Sequence, residues 1–158
     1  MTFILVELDS LDALAQATSS SFTGPVAALL DPEEGWDTGL CCRFYFVRTG
    51  ARAAAATTAA AAVSGEEDGV EVVTLRTRMI DALCEDPATG SASSALCCYL
   101  SKQLGEQTSP RRRYELTQGV EMGRESNIVV DITIKDAAID QVHLSGKAVK
   151  VMQGTLIV

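Results

Sequence analysis

The stretch GSASSALCCYLSKQLG, residues 90–105, constrains the fold of this chain more than any other. Its first turns carry Ala92, Ala95, Leu96, Cys97, Cys98, Tyr99 and Leu100, and polarity returns only at Ser101, Lys102 and Gln103. A helix apolar around most of its circumference has to be enclosed by other elements. The flanks supply the enclosure. Upstream, "TFILVELDS", "CRFYFV" and "VEVVTLRTRM" read as strands, and downstream "RRRYELTQGV", "SNIVVDITI", "IDQVHLSG" and "KAVKVMQGTLIV" are β-like segments separated by Gly or Asp turns. "SLDALAQA" is a short helix that Ser10 or Asp9 can cap, with Leu11, Leu14 and Ala15 on one face. Strands, one buried helix and strands again predict an α+β domain: a curved, mixed or antiparallel sheet wrapped around a central helix at about residues 90–104, with Gly105 as its stop. The 158 residues suit a single domain, 1–158. The alanine-rich run within 50–69 offers little side-chain area to bury and ends in "SGEEDG", so it reads as a surface insertion or a poorly anchored helix.

Composition removes several function classes. A net charge of -8 and the absence of a basic cluster argue against a nucleic-acid partner. Arg111, Arg112 and Arg113 form the one basic run and read as a solvated turn before a strand. Five cysteines, an odd number with two adjacent pairs, fit neither a disulfide framework nor C-x-x-C zinc spacing, so reduced thiols in a cytoplasmic protein are expected. The N-terminal apolar run is too short for a membrane helix and has no basic stretch before it.

Chemistry concentrates at the entrance of the central helix, in "CEDPATGSA", where Glu85 and Asp86 precede small residues. Two readings are open. Asp86 can cap a helix that begins at Pro87, which leaves Gly90 inside it at a cost of ~1 kcal/mol relative to Ala. Alternatively "EDPAT" is a loop and the helix starts near Thr89 or Gly90. Its first N–H groups at Gly90, Ser91 and Ala92 are then open to an anion such as a carboxylate, with Asp86 beside it and Glu85 as a second carboxylate.

"EDPATGSA", Glu85 to Ala92, resembles the hallmark of the phenazine-biosynthesis PhzF-like family, whose fold is that of diaminopimelate epimerase. "LTQGVEMGRESNIVVDI" is similar to the family's QG-x-x-MGRPS-x-I strand pair, and "VHLSGKAVKVMQGTLIV" resembles its closing segment. The resemblance implies a hot-dog-like half, a sheet around a helix, two of which face each other across a substrate cleft in the full-length family. It implies proton transfer, isomerisation or epimerisation, without metal or organic cofactor. Asp86 matches a proton-shuttling or positioning carboxylate, with Glu85 beside it, and Thr89, Gly90, Ser91 and Ala92 match the cleft lining; Arg124 can meet an acidic substrate or pair with Glu121 or Glu125.

This sequence departs from the family's pattern in three respects. No segment resembles the N-x-S-E-T-A-F stretch that carries the family's main acid/base glutamate, nothing matches the first half with its glycine-asparagine-proline motif, and Glu125 stands where the family has proline. A homodimer is therefore expected, in which a second copy replaces the other half and sets two Asp86 residues across one cleft. A non-catalytic binding module, or a partner for a separate N-terminal half, is the alternative.

Other candidates read as structural. His143, the only histidine, lies in a strand near a turn. Cys84 sits beside Glu85, which disfavours a thiolate. Cys97 and Cys98 read as helix core, and Tyr45 and Trp36 as packing or surface residues.

Overall fold

The computed structural model describes residues 2–18, 26–36, 41–53, 70–81, 84–103 and 110–155. The elements are β1 (Thr2–Glu7), α1 (Leu11–Gln16), two 3-10 turns (Val26–Leu29 and Pro32–Glu34), β2 (Cys41–Ala53), β3 (Glu71–Ile80), β4 (Glu85–Asp86), α2 (Gly90–Gln103), β5 (Arg111–Gln118), β6 (Ser126–Lys135) and β7 (Ala138–Gly146). They form one mixed sheet in the order β1-β2-β3-β5-β6-β7, with β4 paired to β3. The α+β expectation holds: the sheet curls into a half-barrel around α2, which touches β1, β5, β6 and β7.

Strand alternation explains which side of α2 is buried, while the side carrying Ser91 and Tyr99 stays open, contrary to a helix enclosed on most of its circumference. Phe44 and Phe46 of β2, Val73 and Leu75 of β3, Tyr114 and Leu116 of β5, and Ile128, Val130 and Ile132 of β6 face inward onto Ala92, Leu96, Cys97 and Leu100. Leu96 is fully buried at the centre of this core. Leu96→Ala should therefore cost about 2–5 kcal/mol, read as a lower midpoint in urea unfolding with the slope unchanged. The opposite face of β2 and β3 carries a smaller core of Tyr45, Val47 and Ile80 beneath Leu14 and Ala17. Ser10 caps α1 by accepting a hydrogen bond from the Ala13 N–H at 3.1 Å. Of the residues expected to face inward from α1, Leu14 is buried while Leu11 is 47% exposed and Ala15 is exposed. Six residues are too few for a broad apolar stripe.

Several boundaries differ from the sequence reading. Residues 50–53, placed in the insertion, continue β2: after an irregularity between Arg48 and Gly50, Gly50 to Ala53 pair with Thr74 to Glu71. The rest of the insertion, the "SSSFTG" turn and the Gly105 stop lie outside the described residues. Arg111, Arg112 and Arg113 are strand, not turn. Arg112 shares the inward parity of Tyr114 and is fully buried, donating to the Ser101 carbonyl at the end of α2 (3.0 Å), while Arg113 pairs outward with Asp131. Residues 147–155, expected as a strand, are in no strand and are exposed. No helix among the described residues is long and apolar enough to cross a membrane.

Candidate active site at the entrance of the central helix

Parallel pairing builds the site. β3 and β5 run parallel and are joined through α2, so the loop into α2 lies at their carboxyl ends, the position where ligands gather on parallel strands. β5 follows β3 as far as Thr77, opposite Gln118, and β4 takes over the same edge with Asp86 opposite Met79 and Glu85 opposite Ile80. Gln118 and Asp86 are thereby brought next to one another from positions far apart in sequence.

The same register separates the two carboxylates. Ile80 and Arg78 belong to the face under α1, Met79 to the face that packs on α2. Glu85 accordingly turns toward α1 and Asp86 toward α2. Arg78 holds Glu85 in a two-pronged ion pair, Nε to Oε1 and Nη2 to Oε2, both at 2.8 Å. Its remaining nitrogen, Nη1, donates to the carbonyls of Leu14 (2.8 Å), Ala15 (3.0 Å) and Ala17 (3.1 Å), closing the end of α1. Hydrogen bonding to Glu85 outweighs burial and keeps the Arg78 guanidinium charged, its pKa raised. Glu85, expected as a second proton-handling carboxylate, lies in this pair on the face of the sheet under α1, away from Asp86. Glu85→Ala would take the two-pronged partner from a nearly buried arginine, leaving it Glu121 at 3.9 Å, and should cost about 3 kcal/mol in a denaturant melt. The check is whether Glu85→Ala and Arg78→Ala fail to add in a double-mutant cycle.

The helix-start question is also settled. α2 begins at Gly90, and "EDPAT" is strand and loop. Asp86 Oδ1 accepts from the Ala88 N–H at 3.2 Å and Oδ2 from the Thr89 hydroxyl at 2.8 Å. Thr89, itself buried, occupies the capping position, but its hydroxyl is engaged by Asp86 and Gln118. Among the described residues the backbone N–H groups of Gly90 and Ala92 have no acceptor outside the helix. Small size serves packing at two of these positions: a Cβ on Gly90 would lie 2.7 Å from Leu144 Cδ2, and Ala92 is fully buried in the core. Ser91 is exposed at the helix entrance.

Gln118 is the residue that sequence reasoning passed over. It is fully buried; its Oε1 accepts from the Thr89 N–H (3.2 Å), and its Nε2 donates to the Asp86 carbonyl (2.7 Å) and the Thr89 hydroxyl (2.9 Å). The backbone donor and backbone acceptor fix the amide orientation, so the hydroxyl proton of Thr89 is left to point at Asp86. A signal was present in "RRRYELTQG": Arg112, Tyr114, Leu116 and Gln118 alternate inward, which puts a glutamine in the core immediately before a glycine. That glycine, Gly119, has φ +78°, and a Cβ there would lie 2.4 Å from the Arg124 carbonyl oxygen and 2.9 Å from that of Pro87.

Arg124 sits in the turn that Gly119 supports, its N–H donating to the Gly119 carbonyl at 2.8 Å. Its side chain makes no ion pair among the described residues. The two partners proposed for it are engaged elsewhere: Glu121 pairs with Arg76 at 2.6 Å, and Glu125 accepts from Asn127 at 3.2 Å. His143 stands opposite Asp131 in register, on the outer face of the sheet. Cys97 is core, and burial pushes both the Cys97 and Cys98 thiols up, away from thiolate chemistry. Cys84 is exposed; Tyr45 is buried and Trp36 half exposed. No group of metal-binding side chains occurs among the described residues. A cavity of about 380 Å³ opens near the other end of α2, lined in part by Leu100, Tyr114, Glu71 and Arg48. Arg48 is already paired with Glu7 and the adjacent Thr49 hydroxyl with Thr74, so few polar groups converge on that space.

A curled half-barrel with a carboxylate fixed at the entrance of its enclosed helix defines the architectural class. Residues 79–154 match the family described as phenazine biosynthesis-like protein. The PhzF-like resemblance carried by Glu85 to Ala92 is thus shown over that part of the chain. A protein of Mesorhizobium japonicum described as an uncharacterized isomerase is 35% identical over 74 residues, which are 47% of this chain and 24% of the relative.

Proposed function

We propose that this chain is a proton-transfer isomerase or cyclase of the PhzF-like type, acting on a small organic acid or a natural-product intermediate. The half-barrel is read as one diaminopimelate epimerase-like half, with residues 1–158 as a single domain. The observation that carries the reading is the face on which Asp86 lies. It is the one carboxylate of the motif turned toward α2, and both its oxygens are held in place by the Ala88 N–H and the Thr89 hydroxyl. The relative described as an isomerase supports the same class.

In this reading Asp86 takes a proton from a carbon next to a carbonyl or carboxyl group. The C–H electron pair moves into the carbonyl, and negative charge grows on its oxygen. The N–H groups of Gly90 and Ala92, the Ser91 hydroxyl and the Arg124 guanidinium receive that oxygen and a substrate carboxylate, helped by the positive end of the α2 dipole. Return of the proton to another carbon completes an isomerisation with no redox step, so the proposed chemistry asks for no cofactor. Return from the opposite face requires a second acid. A homodimer supplies one as the Asp86 of the second copy, with the two helix entrances related by a twofold axis. Free thiols at all five cysteines fit a cytoplasmic setting.

The test is proton exchange in D₂O with a panel of small unsaturated, hydroxy and amino acids, followed by proton NMR and mass spectrometry. At least one acid should lose a C–H signal and gain one mass unit at a rate set by protein concentration. Acids that bind yet exchange no faster than in buffer would instead support a non-catalytic binding module.

A further inference from the structure

We propose that residues 147–155 cross to a second copy of this chain and lie along the seam between its α2 and β7. The proposal rests on the homodimer reading above and specifies how the two copies hold one another.

The segment leaves the sheet directly after β7, and its large side chains are the most exposed apolar groups among the described residues: Val149 at 87%, Val151 at 83% and Met152 at 85%. A second apolar strip is open on the same chain. Among the described residues β7 ends the sheet order, and no described strand pairs with its outer edge. Val142 and Leu144 lie on its inward face, opposite the core residues Ile132 and Val130, yet they are 39% and 51% exposed, and Tyr99 of α2 is 47% exposed. The chain therefore bears an apolar segment and an apolar seam that do not cover each other. Reciprocal exchange between two copies covers both at once and closes under twofold symmetry.

Charge and length select this occupant. The chain carries -8 in total; the segment's only charges are Lys147 and Lys150, so the remainder is -10 and attracts it. Nine extended residues reach about 30 Å, enough to run the roughly 21 Å length of α2. The docked segment would also border the candidate site, because Leu144 covers Gly90 at the helix entrance.

The experiment is sedimentation of the full chain and of the double variant Val149→Asp/Val151→Asp over a range of concentrations. Amide hydrogen exchange of residues 147–153 is measured in parallel. The wild type should be a dimer whose segment amides are protected and lose protection on dilution. The double variant should dissociate at least about a hundredfold more readily, and its separated chains should keep the native circular-dichroism spectrum because neither valine is in the core. A double variant that stays dimeric overturns the exchange and leaves the homodimer standing. A wild type that is monomeric overturns both, whether its segment is protected by its own chain or not protected at all.

Discussion

Replacing Asp86 with Asn should reduce the proton-exchange rate of any substrate found by the D₂O panel about 10²- to 10⁴-fold, the range associated with loss of a general acid or base. The fold should survive. Asn keeps one oxygen to accept from Ala88 or Thr89, and the loss of one hydrogen bond costs about 1 kcal/mol, or about 2–4 °C in melting temperature for a chain of this size. The substitution removes the charge and the proton, and with them the chemistry. Glu85→Gln is the matched control: its side chain faces Arg78 beneath α1, so it should lower stability while the exchange rate per folded molecule stays within about threefold. A fully active Asp86→Asn protein would remove Asp86 from the mechanism.

A stability effect as large as that of emptying the core is expected at Gly119. With φ at +78° an alanine pays the left-handed backbone penalty of about 1–2 kcal/mol. Its Cβ would also stand 2.4 Å from the Arg124 carbonyl oxygen and 2.9 Å from that of Pro87. Both obstacles are backbone, so either the turn carrying Arg124 or the loop carrying Asp86 has to move. Together these costs come to about 4 kcal/mol, a fall of roughly 10 °C in melting temperature. Gly123→Ala separates the two contributions. Gly123 also has positive φ (+69°) but nothing within 4 Å of a new Cβ, so it should lose only the backbone part. Equal melting temperatures for the two variants would mean that the contact with the Pro87 loop carries no weight.

What could be read without coordinates was whatever a local pattern dictates. The apolarity of Leu96 to Leu100 demanded a covering sheet, and Ser10 or Asp9 before Leu11 was a cap by its chemistry, the structure using Ser10. The rest depended on register and on distant partners. Glu85 and Asp86 are adjacent, so one must face each way across a strand, but which one faces α2 is decided by Asp86 pairing with Met79 rather than Ile80. Gln118 acts on Thr89, 29 residues away, and a glutamine in a strand does not announce its partner. Arg112 looks solvated in a run of three arginines on charge alone, whereas its inward parity with Tyr114 is what buries it. Lys147 to Thr155 alternates well enough for a strand, but a strand needs an edge to pair with, and that edge is not a local property. The small size of Gly90 and Ala92 also has a packing reason, against Leu144 and in the core, and those partners are distant in sequence.

If small acids are held at the entrance of α2, titration of the nitrogen-15-labelled chain with an acid that it exchanges in D₂O will locate them there. The amides of residues 86–92 and of Arg124 should shift together and saturate with one dissociation constant. Shifts confined to Thr49, Gly50, Glu71 and Val73, around the cavity near the other end of the helix, would contradict the account.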